Sequence, residues 1–173
     1  GQVYGRFSDR ELYRAILAGE ADLFVALADE IASFLDCEGV EYVVGDTVEG
    51  VNPSHDVCRL LLNAALMRIE ATSGRRLRNL EFVLEGPPHD CPSDDRAEAI
   101  ILELADDAYQ RKLAAVRSYP EIAAEMQRTL VTHSLEAFRI ECLRPVRYGL
   151  DISHRFEHPA TYEWYGEKQV AAG

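Results

Sequence analysis

The stretch VEYVVGDTVEGVNPSHDVCRLLLNAALMRIEATSG, residues 40–74, decides how the rest of the chain reads. Val40, Tyr42, Val43 and Val44 are β-branched or aromatic, the side chains that favour a strand. Two glycines, a proline, three carboxylates and a histidine then crowd into positions 45–56, a polar loop between two apolar segments. From His55 onward Val57, Leu60, Leu61, Ala64, Ala65 and Ile69 recur at three- and four-residue spacing, one apolar helical face that fades at Ser73-Gly74. Strand, loop and helix in this order are the unit from which α/β sheets are assembled.

The flanking sequence extends the pattern. Ser8-Asp9-Arg10-Glu11 has the capping-box spacing, and Leu12, Ile16 and Leu17 follow it, so a helix runs to about Gly19. Phe24, Leu27, Ile31, Phe34 and Leu35 mark a second helix from Ala21 to Asp36. Downstream, Leu80 to Leu84, Ala99 to Leu104 and Phe138 to Leu143 read as strands. An Ala-rich helical stretch from Asp106 to about Thr132 is divided by Pro120, which lacks the amide hydrogen a helix needs. The tail from Tyr148, with Tyr162, Trp164 and Tyr165, has no clear period. The expected fold is a single α/β layered domain, with a mainly parallel sheet flanked by helices.

Composition narrows the function. The 173 residues include 30 acidic and 18 basic side chains, a net charge of -12, and 47% are apolar, enough for a core of its own. Such an acidic surface repels phosphate backbones, and the basic residues are scattered apart from Arg75, Arg76 and Arg78, so nucleic acid is not expected as a partner. No apolar run reaches the roughly 18 residues of a membrane span. Cys37, Cys58, Cys91 and Cys142 form no C-x-x-C pair and read as free thiols in a reducing compartment. The first residues lack the basic and apolar regions of a signal peptide, so the expected location is the cytoplasm. The chain does not begin with Met, and it is read as an excerpt of a longer one.

Ligands of open α/β sheets sit beyond the carboxyl ends of strands, which makes the loop Gly45 to Asp56 the first candidate site. His55 lies at a helix N-terminus, where the positive end of the dipole favours neutral imidazole, the form that binds a metal. Asp46 and Glu49 are candidate substrate contacts. The plain alternative is a capping loop in which Ser54 caps the helix, Asp56 complements the dipole and His55 fills a surface position. Elsewhere, His154 and His158 have i, i+4 spacing but abut Pro159 and read as loop, and His133 suits a helix C-terminus. No G-x-G-x-x-G, Walker or G-x-S-x-G sequence occurs, so neither nucleotide binding nor serine hydrolysis is indicated.

The segment Glu49-Gly50-Val51-Asn52-Pro53-Ser54-His55-Asp56 resembles the second metal motif, E-G-G-H-P-D-H-D, of the PIG-L (LmbE-like) N-acetylglucosaminyl deacetylases. Glu49, Gly50, Pro53, His55 and Asp56 match. Asn52 stands where the family more often has a histidine, and Ser54 where it has an aspartate. Arg111-Lys112-Leu113-Ala114-Ala115 with Tyr119, and Glu136-Ala137-Phe138-Arg139, are similar to later stretches of the family, so the likeness spans most of the chain loosely. It implies a Rossmann-like sheet, a zinc cofactor with His55 as one ligand, and hydrolysis of an N-acyl group from a small amino-sugar-like substrate. It also implies that Asn52 contacts the developing oxyanion.

The family's H-P-D-D-E motif, source of two further ligands and the general base, is absent from the sequence. His89-Asp90-Cys91-Pro92-Ser93-Asp94-Asp95 has the wrong spacing and reads as a solvated loop. A catalytic zinc takes about three protein ligands. The resemblance therefore places the others before Gly1, with part of the fold. The competing readings are a non-catalytic α/β binding module and a family member that has lost its metal.

Overall fold

The computed structural model describes residues 6–120, 134–153 and 159–172. The chain divides into two compact units, Gly1–Asn79 with Val146–Gly173, and Leu80–Pro145.

In the first unit α1 (Asp9–Ala18) begins with the expected capping box. Ser8 Oγ accepts from the Glu11 N–H, and Glu11 accepts in return from the Ser8 N–H at 2.8 Å. Those bonds hold the Glu11 carboxyl below its ordinary pKa. Gly19, at φ 65°, ends the helix in the left-handed conformation that glycine adopts without strain. Then come α2 (Ala21–Cys37), β1 (Tyr42–Asp46) and α3 (Pro53–Ser73). Ala32 and Leu35 of α2, Val43 of β1, and Ala65 and Ile69 of α3 form the core, with Ile31, Val40, Leu62, Leu66 and Leu77 packed around them. The core-facing side of α3 carries Leu62, Ala65, Leu66 and Ile69, so of the apolar face read from the sequence only Ala65 and Ile69 lie in this core, while Val57, Leu60, Leu61 and Ala64 are partly buried beside it. Truncating Ile69, which is 2% exposed, to Ala would cost about 2–5 kcal/mol. The last helix, α5 (Thr161–Ala172), falls in the tail where the sequence has no period.

Strand β2 (Arg78–Phe82) lies parallel to β1 and begins as the Arg78 N–H donates to the Glu41 carbonyl at 2.9 Å. In the second unit, β3 (Ile100–Glu103), α4 (Asp106–Arg117), a 3-10 turn (Leu135–Arg139) and β4 (Ile140–Pro145) follow. The strand order is β1-β2-β4-β3. The α/β layering is as expected, but the sheet is mixed rather than mainly parallel. β4 pairs antiparallel with β2 (Leu80↔Pro145, Glu81↔Arg144) and with β3 (Ile100↔Leu143 through Glu103↔Ile140). Parallel strands are buried on both faces, whereas Ile101 and Leu102 of β3 are 52% and 45% exposed, as only an antiparallel edge tolerates.

The expected long helix is present as α4, and its continuation past Pro120 lies outside the described residues. The segments resembling the later family stretches meet here. Lys112 of α4 pairs with Glu141, donates to the Phe138 carbonyl at 3.0 Å and lies over the Phe138 ring. Arg139 stacks on Tyr109, 4.3 Å from the ring centre, and pairs with Asp106 and Glu136, which raise its pKa.

Candidate functional site

β1 ends at Asp46, and the chain turns back through Thr47, Val48, Glu49 and Gly50 before α3 begins. Three devices shape this loop. Gly50 has φ 70°, a left-handed conformation costly for any residue with a Cβ. The Asp56 carboxylate, 4% exposed, reaches back from the first turn of α3 and accepts the Glu49 and Gly50 N–H groups, each at 3.0 Å. From the C-terminal side, the Tyr162 N–H donates to the Gly50 carbonyl at 3.4 Å, and Tyr148 Oη accepts the Val48 N–H at 3.4 Å. Burial, reinforced by the Asp56 charge and its hydrogen bond, pushes the Tyr162 phenol up to about 12.

Asn52, not Ser54, is the N-cap of α3. Its Oδ1 accepts the Ser54 N–H at 3.0 Å, the Ser54 hydroxyl at 2.8 Å and the Tyr13 hydroxyl at 3.0 Å. Pro53 takes the first helical position, where no amide hydrogen is needed, so the helix starts two residues before the expected His55. That places His55 one turn from the cap, beside the end of β1.

There His55 Nδ1 lies 2.5 Å from Asp46 Oδ2, with the two side chains 44% and 24% exposed. A carboxylate only accepts, so the Nδ1 hydrogen points at Asp46, and whenever the ring is neutral its lone pair is on Nε2. The histidine is half open to solvent and fixed in ring orientation by a carboxylate. Glu49 is half-buried, and its N–H is the group that Asp56 binds.

Beneath the pair runs a buried polar chain that the sequence does not announce. Arg59, 2% exposed, donates from Nε to the Asp46 carbonyl at 2.6 Å and from Nη1 to Asn79 Oδ1 at 2.8 Å. Asn79 Nδ2 donates to Asn63 Oδ1 at 2.9 Å, and Asn63 Nδ2 to the Gly149 carbonyl at 2.6 Å. The guanidinium fits because Gly45 has no side chain: a Cβ there would lie 2.5 Å from Arg59 Nη2.

The four residues singled out from the sequence, Asp46, Glu49, Asn52 and His55, thus stand in one loop. Asp46 binds His55, and Asn52 caps the helix that carries His55. Asp56, Arg59 and Tyr162 complete the structure around them. Asp56 was visible only as a carboxylate at a helix start, and Tyr162 left no signal. His154, His158 and His133 lie outside the described residues, and the loop of residues 89–95 belongs to the second unit.

A ligating histidine commonly donates its second ring N–H to a carboxylate, and His55 with Asp46 has that arrangement. The pair fits one protein ligand of a zinc ion. Among the described residues no group of three or more His, Cys, Asp or Glu side chains is placed to hold a metal. The fold and site define an α/β protein with a carboxylate-held histidine at the carboxyl end of its first described strand. Comparison with protein-family models, curated proteins and solved structures finds no match for the chain.

Proposed function

We propose that this chain carries part of the site of a zinc-dependent hydrolase that removes an N-acyl group from an amino sugar or a similar small amide. The observation that carries the reading is the Asp46–His55 pair beyond β1, in the segment resembling a deacetylase metal motif. A bound zinc polarises an amide carbonyl and lowers the pKa of water to about 7. Within this chain, His55 would hold the metal through Nε2, and Asp46 fixes the ring. Asn52 spends its carbonyl oxygen on the cap, which leaves its Nδ2 amino group to donate a hydrogen bond to the carbonyl oxygen of a substrate. Glu49 stands at the same loop as a substrate contact. The reading places the protein in the cytoplasm with a small-molecule substrate; among the described residues no helix is long and apolar enough to cross a membrane.

The test is the zinc content of the natural polypeptide by elemental analysis, together with deacylation of N-acetylated amino sugars. His55→Ala is expected to reduce zinc to background. Asp46→Asn, which keeps an acceptor but loses the charge, is expected to weaken zinc affinity about 10–100-fold. Wild-type protein without zinc, or a His55→Ala variant with undiminished zinc, would sink the reading and favour a non-catalytic binding module. Bound amino sugar without turnover would favour a family member that has lost its metal.

A further inference from the structure

The second unit brings two cysteines together from opposite ends of its sequence. Cys142 lies in the middle of β4 and is 2% exposed, and Cys91 lies half-buried in the loop that follows β2. One backbone hydrogen bond and one side-chain ion pair fix that loop beside the strand. The Cys142 N–H donates to the Pro88 carbonyl at 3.0 Å, and the Asp90 carboxylate lies 3.6 Å from Arg144 Nη1. Cys142 and Arg144 are two residues apart and both buried, so they share one face of β4. Arg144 is itself anchored by Glu81, 3.1 Å away and 2% exposed. Cys91 follows Asp90 directly, and its thiol is one of the neighbours that raise the Cys142 pKa; the Cys91 thiol also donates to the Pro92 carbonyl at 3.8 Å. The other two cysteines, Cys37 and Cys58, are exposed and belong to the first unit.

We infer that Cys91 and Cys142 are a reversible dithiol–disulfide pair, oxidised by low-molecular-weight disulfides, and that the bond locks the loop after β2 onto β4. The reaction balances in two exchanges. The Cys91 thiolate attacks one sulfur of a small disulfide RSSR, forming a Cys91–SR mixed disulfide and releasing RS⁻. The Cys142 sulfur then attacks Cys91 Sγ, the protein disulfide forms, and the second RS⁻ leaves. The protein gives up two electrons and two protons, and RSSR becomes two RSH.

The order of events follows from exposure. Cys142 cannot meet an external disulfide, whereas Cys91 can, so Cys91 attacks first and Cys142 resolves. Burial, with Cys91 beside it, pushes the Cys142 thiol up to about 12. Its thiolate fraction therefore grows about tenfold per pH unit across the neutral range, and the resolving step should accelerate in proportion.

The experiment incubates the full chain with oxidised glutathione at pH 7, 8 and 9, quenches in acid, alkylates remaining thiols and maps peptides without reduction. The expected product joins the Cys91 and Cys142 peptides with loss of two hydrogens, while Cys37 and Cys58 remain thiols or carry glutathione. In Cys142→Ala, Cys91 should stop at the mixed disulfide. In Cys91→Ser, Cys142 should stay a thiol. The oxidised wild type should melt at a higher temperature than the reduced, and Cys91→Ser should abolish the difference. A wild-type mixed disulfide at Cys91 that persists at pH 9 overturns the inference. So does glutathionylation of Cys142 in folded Cys91→Ser, or a cross-link from Cys142 to Cys37 or Cys58. Should Cys142→Ala fail to fold, the Cys91→Ser and wild-type maps decide the matter alone.

Discussion

Replacing Gly45 by Ala tests whether the Asp46–His55 pair rests on the buried guanidinium beneath it. A Cβ at position 45 would stand 2.5 Å from Arg59 Nη2 and 3.3 Å from Cζ. Ordinary contact requires the guanidinium to retreat by about 1 Å, yet it is held by hydrogen bonds of 2.6 Å to the Asp46 carbonyl and 2.8 Å to Asn79. A retreat of that size takes at least one of them past bonding distance. One charge-assisted bond is worth about 1.5–3 kcal/mol, and overpacking adds about 1–3 kcal/mol. The expected loss is therefore about 2.5–6 kcal/mol. Urea unfolding followed by Trp164 fluorescence and by far-UV circular dichroism would measure it, with coincident curves licensing a single free energy. The decisive form is a double-mutant cycle with Arg59→Met. Where the guanidinium is gone, Gly45→Ala should cost less than about 1 kcal/mol, so the two changes should be strongly non-additive. Additivity within about 0.5 kcal/mol would refute the claim that glycine stands here to seat Arg59.

Three further changes probe the loop. Asp56→Asn leaves one acceptor for the two amides of Glu49 and Gly50, and should lower stability by about 2–3 kcal/mol and speed hydrogen exchange at those amides; an unchanged exchange rate would remove Asp56 as their partner. The folded state keeps the Tyr162 proton up to about 12, while the unfolded chain releases it near the ordinary value of 10. The unfolded state thus binds fewer protons between pH 10 and 12, so this contribution is intact below pH 10 and lost as pH rises through 12. In alkaline unfolding curves Tyr162→Phe should show a shallower decline than the wild type, and parallel curves would contradict the assignment. Asn52→Ala removes the acceptor of the Ser54 amide, the Ser54 hydroxyl and the Tyr13 hydroxyl, and should cost about 1–2 kcal/mol in the same urea experiment, with no change counting against its role as cap.

What the sequence discloses and what it hides divide along physical lines. Capping boxes, apolar periods and β-branched runs act over a few residues, and the helices and strands they mark stand within about two residues of where they are expected. Strand direction is set by how distant segments return, so Phe138 to Leu143 reads as a strand while the antiparallel pairing of the strand found there, Ile140–Pro145, with both neighbours does not. Helix α5 escaped because no apolar face defines it: Trp164, Tyr165 and Val170 are 47%, 58% and 84% exposed. Contacts such as the Tyr162 amide on Gly50 hold it instead, across more than a hundred residues of sequence. At the site, the crowding of polar residues into positions 45–56 was legible, but their division of labour was not. Asp56 explains itself locally as a partner of the helix dipole, and only the fold reveals that it grips amides six and seven residues earlier.

That division bears on the two departures from the motif that the loop resembles. Ser54 occupies the position of an aspartate, and here both its amide and its hydroxyl donate to Asn52, so this residue serves the cap. Asn52 occupies the position of a histidine, and the cap claims its oxygen. Imidazole can both donate a hydrogen bond and pass on a proton, whereas a carboxamide can only donate. A site built on Asn52 can therefore stabilise charge on a carbonyl oxygen, but it cannot supply a proton to the departing amine. Under the hydrolase reading that proton must come from another group. His55 is a poor source, because its Nδ1 hydrogen is held by Asp46 and its Nε2 lone pair is the one offered to the metal. Under that reading the loop would bind and polarise an amide, and the acid–base work would fall to residues outside it.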